Sequence, residues 1–137
     1  MTRPVVVFDT DILFSAIGWH GKPHQCVALA RAGLVQGVSC REILEELADK
    51  LGSKLDFSTE QGSDAVAELA AFLTLVTITG DLRAVAADAK DDMVVECAVA
   101  AGADFILSGD RRHLLPIKFF QGIRIVGVDE FLAAVME

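Results

Sequence analysis

Pro4-Val5-Val6-Val7-Phe8-Asp9 is the stretch that decides the fold. A short run of three valines and a phenylalanine ends abruptly in a carboxylate. Apolar, β-branched and without alternation, it reads as a strand buried on both faces, as in a sheet covered by helices above and below. Asp9 then stands at the C-terminal end of that strand, the edge where open α/β sheets collect their ligands. A second run of this kind, Phe105-Ile106-Leu107, leads into Ser108-Gly109-Asp110. Two aspartates delivered by two buried strands point to one acidic pocket, and an acidic pocket points to a metal ion.

Working outward, strands and helices alternate. Strand character is expected over 4–8, 34–38, 76–79, 105–108 and 124–127. Ile12 to Trp19 reads as a loop or short helix, stopped by Gly18 and by Gly21-Lys22-Pro23. Helices are expected over 24–33, closed by Gly33, and over 40–51, with Ser39 as N-cap and Glu42 at capping-box spacing. Further helices run from Ser58-Thr59-Glu60 to about Leu73, over 91–101 as far as Gly102, and over 129–136. This alternation predicts an α/β fold: one domain over 1–137 with a parallel sheet and helices on both faces. Right-handed crossovers then set Asp9 and Asp110 along one edge.

Composition excludes several classes. The chain has 137 residues, 53% of them hydrophobic, with mean hydropathy +0.45, which is too apolar for disorder. The most apolar stretch, Leu69 to Ile78, is too short to span a bilayer, and the first residues lack the pattern of a signal peptide. A cytoplasmic location with no membrane partner is expected. Cys26, Cys40 and Cys97 are odd in number and lack metal-ligand spacing, so reduced core thiols are expected. A net charge of −8 argues against a broad basic face for nucleic acid. It leaves room for a metal-dependent enzyme acting on phosphodiesters, because bound divalent ions reverse the local field.

Each aspartate also has an ordinary explanation. Asp9 and Asp11 suit a helix start, Asp91 or Asp92 would cap a helix from 93, and Asp110 would end a turn. Taken together the balance shifts, since crowded carboxylates raise each other's pKa unless a cation joins them. Oxygen-only ligands point to Mg²⁺ or Mn²⁺. On helix 40–51, Ile43, Leu44, Leu47 and Leu51 form the buried stripe, and Glu42, Glu45 and Glu46 lie off it. Glu46 is nearest the border, although periodicity alone favours a solvated acidic face.

Four segments in order carry a family resemblance: Asp9-Thr10-Asp11; Glu42-Ile43-Leu44-Glu45-Glu46-Leu47; Asp88-Ala89-Lys90-Asp91-Asp92; and Gly102 through Phe105-Ile106-Leu107-Ser108-Gly109-Asp110. With these the chain resembles the PIN-domain nucleases, and most of all the toxin components of prokaryotic toxin–antitoxin pairs. The similarity runs through Gly127-Val128-Asp129-Glu130-Phe131-Leu132. The resemblance implies a three-layer α/β/α fold with a central parallel sheet and an endoribonuclease acting on single-stranded RNA. It implies one or two Mg²⁺ or Mn²⁺ ions held by Asp9, Glu46, Asp91 and Asp110, the catalytic set. Ser108 would hold a carboxylate or a ligand water, its ordinary alternative being a strand-end turn.

One departure stands out: the family usually has Asn where this chain has Asp11, which adds a charge or an outer ligand and leaves the metal number open. Asp92 is the one-residue alternative to Asp91, which is chosen for its distance to Gly102. Arg111 and Arg112 would hold neighbouring phosphates or be solvated. Trp19 and His20 would stack a base or pack a core or interface, and His113 reads as a surface or packing residue. A cognate antitoxin bearing arginines and a homodimer are the partners implied. The competing readings are an inert PIN-fold binding module and a phosphatase of the haloacid-dehalogenase type. Intact acids at all four positions oppose the first. Against the second, Ile12-Leu13 follows Asp11 and no lysine clearly precedes the last motif.

Overall fold

In the computed structural model, which describes residues 3–82, 89–112 and 114–136, the quoted run becomes strand β1, Val5–Phe8, at the middle of a six-stranded sheet. It pairs in parallel with β2 (Gln36–Ser39) on one side and β4 (Phe105–Leu107) on the other. Val6, Val7 and Phe8 are wholly buried, which is why the run shows no alternation. Strand β3 (Thr74–Leu75) extends the sheet beyond β2, and β6 (Ile123–Val126) lies beside β4. Among the described residues only β5 (Phe119–Phe120) is antiparallel, turned onto β6 through Gln121 and Gly122, both at positive φ. The sheet is therefore parallel at its centre and mixed at one edge.

Helices cover both faces. α1 (Thr10–Gly18), α2 (Lys22–Arg31) and α6 (Val128–Val135) pack together, with α3 (Arg41–Leu55) against α1 and α4 (Thr59–Ala70) against α3. α5 (Ala89–Ala101) lies on β1, β2 and β4, completing an α/β/α sandwich. Gly37 shows how closely the layers meet: a Cβ there would lie 2.5 Å from the Leu73 side chain and 3.0 Å from Ala30. Among the described residues no helix is long and apolar enough to cross a membrane, and Cys26, Cys40 and Cys97 are buried free thiols.

Several local expectations are corrected. Of the two alternatives for Ile12 to Trp19 the short helix holds: Ile12 to Gly18 lie in α1, which starts already at Thr10, and Trp19 is its extended C-cap. Ser39 does not cap α3: it ends β2 wholly buried, its Oγ has no hydrogen-bond partner, and Cys40 is the N-cap with no side-chain cap. α3 continues past 51 because Leu55 prolongs the stripe of Leu47 and Leu51, and it closes at Asp56 with φ 56°. Ser58 does form a capping box, with Gln61. The 76–79 strand is absent. Val76 makes one last ladder bond to Ser39, and the Thr79 and Gly80 amides turn to the Glu96 side chain. α5 begins at Ala89, so Asp91 and Asp92 lie within its first turn and not ahead of a helix from 93.

Candidate active site

The strand ends are held level by the ladder: the Asp9 amide donates to the Leu107 carbonyl at 3.0 Å, and the Ser108 amide to Val126 at 3.0 Å. Asp9, only 4% exposed, uses both carboxylate oxygens. Oδ1 accepts from the Ile12 amide at 2.9 Å and caps α1, and Oδ2 accepts from the Ser108 hydroxyl. Ser108 Oγ in turn accepts the Asp110 amide at 2.9 Å. The capping reading of Asp9 thus holds, and the same side chain stands at the strand end where the site was expected. Burial pushes its pKa up to about 6, with the charges of Asp11 and Asp110 adding to the rise, against the pull of the Ser108 and Ile12 hydrogen bonds.

Asp9, Asp11, Glu46 and Asp91 line one crevice together with Lys90. β1 delivers Asp9, the first turn of α1 delivers Asp11, α3 delivers Glu46, and the first turn of α5 delivers Asp91. Glu46 lies 3.8 Å from the Lys90 ammonium, whereas Glu42 and Glu45 pair with Arg41 away from the crevice. Asp91 lies in the crevice; Asp92 is buried outside its lining. Asp110 borders the site through Ser108 and Asp9, and its Oδ1 accepts the Arg112 amide at 2.9 Å. That last bond is the turn role read from the sequence.

A larger cleft of about 570 Å³ adjoins the crevice, sharing Asp11 and lined also by Ser108, Gly109, Arg111 and Asp129. Arg111 and Arg112 are exposed. Trp19 closes the far end of α1, about 15 Å along the helix from Asp9, and packs on Phe14. His20 faces His24 at 4.7 Å. Neither Trp19 nor His20 lines the crevice, and His113 lies outside the described residues.

Two site residues escaped the sequence reading, both lysines. Lys50 pairs with Asp11, and Lys90 stands beside Glu46. The signal for Lys50 was its place four residues after Glu46, one turn along the same helix face. An all-oxygen donor set around a buried carboxylate of raised pKa, with two ammonium groups drawn to it, fits a hard divalent cation such as Mg²⁺ or Mn²⁺. As the side chains stand, no three acids among the described residues are close enough to share one ion.

A mostly parallel α/β/α sandwich with carboxylates gathered at its strand ends defines the class. A PIN domain family model matches residues 5–112, and the chain belongs to that family, whose members are generally nucleases. The match sets aside the haloacid-dehalogenase alternative. Among solved structures, it resembles VapBC2 from Rickettsia felis bound to a DNA fragment from their promoter, at 16% identity over 90% of this chain and 98% of that one, with TM-score 0.64. It also resembles PAE2754 from Pyrobaculum aerophilum, at 13% identity over 99% and 98% of the two chains, with TM-score 0.62. The PIN domain of T. brucei RRP44 shares 12% identity over 98% of this chain and 82% of that one, with TM-score 0.53. No curated protein matches the chain.

Proposed function

We propose that this protein is a metal-dependent endoribonuclease cleaving single-stranded RNA, and that it serves in the cytoplasm as the toxin of a toxin–antitoxin pair. The observation that carries the reading is the Asp9 carboxylate, buried and fixed by Ser108 and Ile12 beside Asp11 and Asp110. Asp9, Glu46 and Asp91 from the crevice, with Asp110 at its border, would hold Mg²⁺ or Mn²⁺. Such an ion lowers the pKa of a water and offsets charge building on the phosphate. Ser108 orients Asp9 and, through the Asp110 amide, sets where that last acid stands. The cleft beside Asp11 has room for a nucleotide, and Arg111 on its wall suits a neighbouring phosphate.

The R. felis neighbour is a two-component complex on promoter DNA. That likeness supports an antitoxin partner here, and the net charge of −8 suits an arginine-bearing segment. A homodimer belongs to the same reading, and a monomeric mass by light scattering at micromolar concentration would remove it.

The test is cleavage of fluorescent single-stranded RNA in Mn²⁺, Mg²⁺ or EDTA, with Asp9→Asn and Asp110→Asn alongside. Metal-dependent cleavage lost in both variants supports the nuclease. Manganese binding without cleavage would favour an inert module.

A further inference from the structure

Arg111 to Arg124 is a basic stretch in an acidic protein: it holds four of the chain's 12 lysines and arginines and none of its 20 acids. It begins directly after Asp110, at the border of the site. Arg111, Arg112 and Lys118 are exposed, and of the four cations only Arg124 is ion-paired among the described residues, at 3.1 Å from Glu130. The backbone holds them close to the strand ends. The Leu115 amide returns to the Asp110 carbonyl at 2.9 Å, Leu114 is wholly buried, and the Lys118 carbonyl accepts the Ile125 amide at 2.9 Å. Arg111, Leu115 and Glu130 line the larger cleft, and Glu130 holds Arg124. Arg124 stands opposite Phe119 across the β5–β6 ladder, on the same face of the sheet. The cleft wall therefore continues through Arg124 to Phe119. That ring is 60% exposed at the edge of the sheet, three strand spacings or about 14 Å from β1. Trp19 is the only other exposed Phe or Trp among the described residues, and it packs on Phe14. A bare aromatic face among cations suits an unpaired base and its backbone: the ring takes the base whatever its identity, and the cations take the phosphates.

We propose that Arg111, Arg112, Lys118 and Phe119 form a track for single-stranded RNA that leaves the crevice by way of the larger cleft, the three cations against its phosphates and the Phe119 ring stacked on an unpaired base. This rests on the RNA-directed reading above and extends it beyond the acids. With all 20 acids outside the stretch, a polyanion meets less repulsion here than over the rest of the chain. A duplex keeps its base faces covered, so the track selects single strands.

Fluorescence anisotropy of a labelled single-stranded RNA of about a dozen nucleotides, titrated with the full chain at low salt in EDTA, reads binding apart from cleavage. Phe119→Leu should weaken binding about tenfold and Phe119→Trp should restore it. The Arg111→Gln/Arg112→Gln/Lys118→Gln variant should lower the slope of log affinity against log salt by about two, whereas Lys54→Gln, on α3, should change nothing. In Mn²⁺, Phe119→Leu should raise KM for the same RNA about tenfold with kcat unchanged, the mark of lost substrate binding. No binding by the wild type would overturn the track. So would wild-type affinity in a Phe119→Leu variant with a native circular dichroism spectrum, or equal affinity for a duplex of the same length. Binding lost in the track variants of a protein that cleaves RNA in no metal would keep the track and bring down the nuclease reading. Metal-dependent cleavage with KM untouched by Phe119→Leu would do the reverse.

Discussion

The Ser108 hydroxyl donates to Oδ2 of Asp9 across 99 positions of sequence, and Ser108 Oγ in turn accepts the Asp110 amide. One hydroxyl thereby ties the ends of β1 and β4 to the acid that follows β4. Ser108→Ala leaves a buried carboxylate oxygen short of a donor, a loss of about 1–3 kcal/mol. It also removes a bond that lowers the Asp9 pKa. Denaturant unfolding should show the destabilisation, and the acid limb of the cleavage profile should move to higher pH. A profile that stays in place would sink this role for Ser108.

Asp9 should make the metal-free protein more stable in mild acid than at neutral pH. Its folded pKa is about 6 and its ordinary value 3.8, so the folded state binds the proton more tightly. Above pH 6 the folded protein bears the cost of a buried charge, and that cost disappears as pH falls through 6 towards 4. A rise of roughly two units corresponds to about 3 kcal/mol at most. In EDTA at pH 7.5, Asp9→Asn should therefore be more stable than the wild type by about 1–3 kcal/mol, with the gap closing near pH 4. Equal stability at pH 7.5 would show that Asp9 is not strained by burial.

Runs such as Val5 to Phe8 and Phe105 to Leu107 were legible because burial on both faces leaves an unbroken apolar signature. The end of α3 was not: Gly52-Ser53 looks like a stop, but Leu55 keeps the buried stripe going. β3 was misplaced because an edge strand extends only as far as its partner, and β2 ends at Ser39. Asp9 and Asp110 followed from strand ends alone, whereas Glu46 and Asp91 needed the family resemblance, since helix periodicity cannot say which acid faces a neighbouring element. Lys50 and Lys90 were missed because a lysine off the apolar stripe reads as solvated until the facing acid is known.

Glu96 replaces the strand expected over 76–79 with a carboxylate clamp. It accepts the amides of Thr79, Gly80 and Leu82 at 2.8, 3.0 and 3.1 Å, and the Thr79 hydroxyl at 3.2 Å. Burial pushes its pKa up, but these bonds outweigh burial and hold it below the usual carboxylate value. Its contribution is therefore present at neutral pH and lost as pH falls through the lowered pKa. Hydrogen exchange should show the Thr79, Gly80 and Leu82 amides opening roughly tenfold more readily in Glu96→Gln at pH 7, with a smaller difference in acid. Unchanged protection would mean that the backbone holds the loop without Glu96.

Asp91 and Asp92 are neighbours in sequence with opposite surroundings, one in the crevice beside Glu46 and Lys90, the other buried outside its lining. A carboxylate that binds an ion and one that belongs to the packed interior fail differently when neutralised. Asp91→Asn should weaken Mn²⁺ binding by at least tenfold, about 1.4 kcal/mol, and leave unfolding in EDTA nearly unchanged. Asp92→Asn should shift the unfolding midpoint, because a buried polar group must keep its partners, while Mn²⁺ affinity stays within about twofold of wild type. Titration calorimetry and denaturant melts on the same two preparations separate the cases. The reverse pattern would move the ligand one residue along α5, about 100° around the helix.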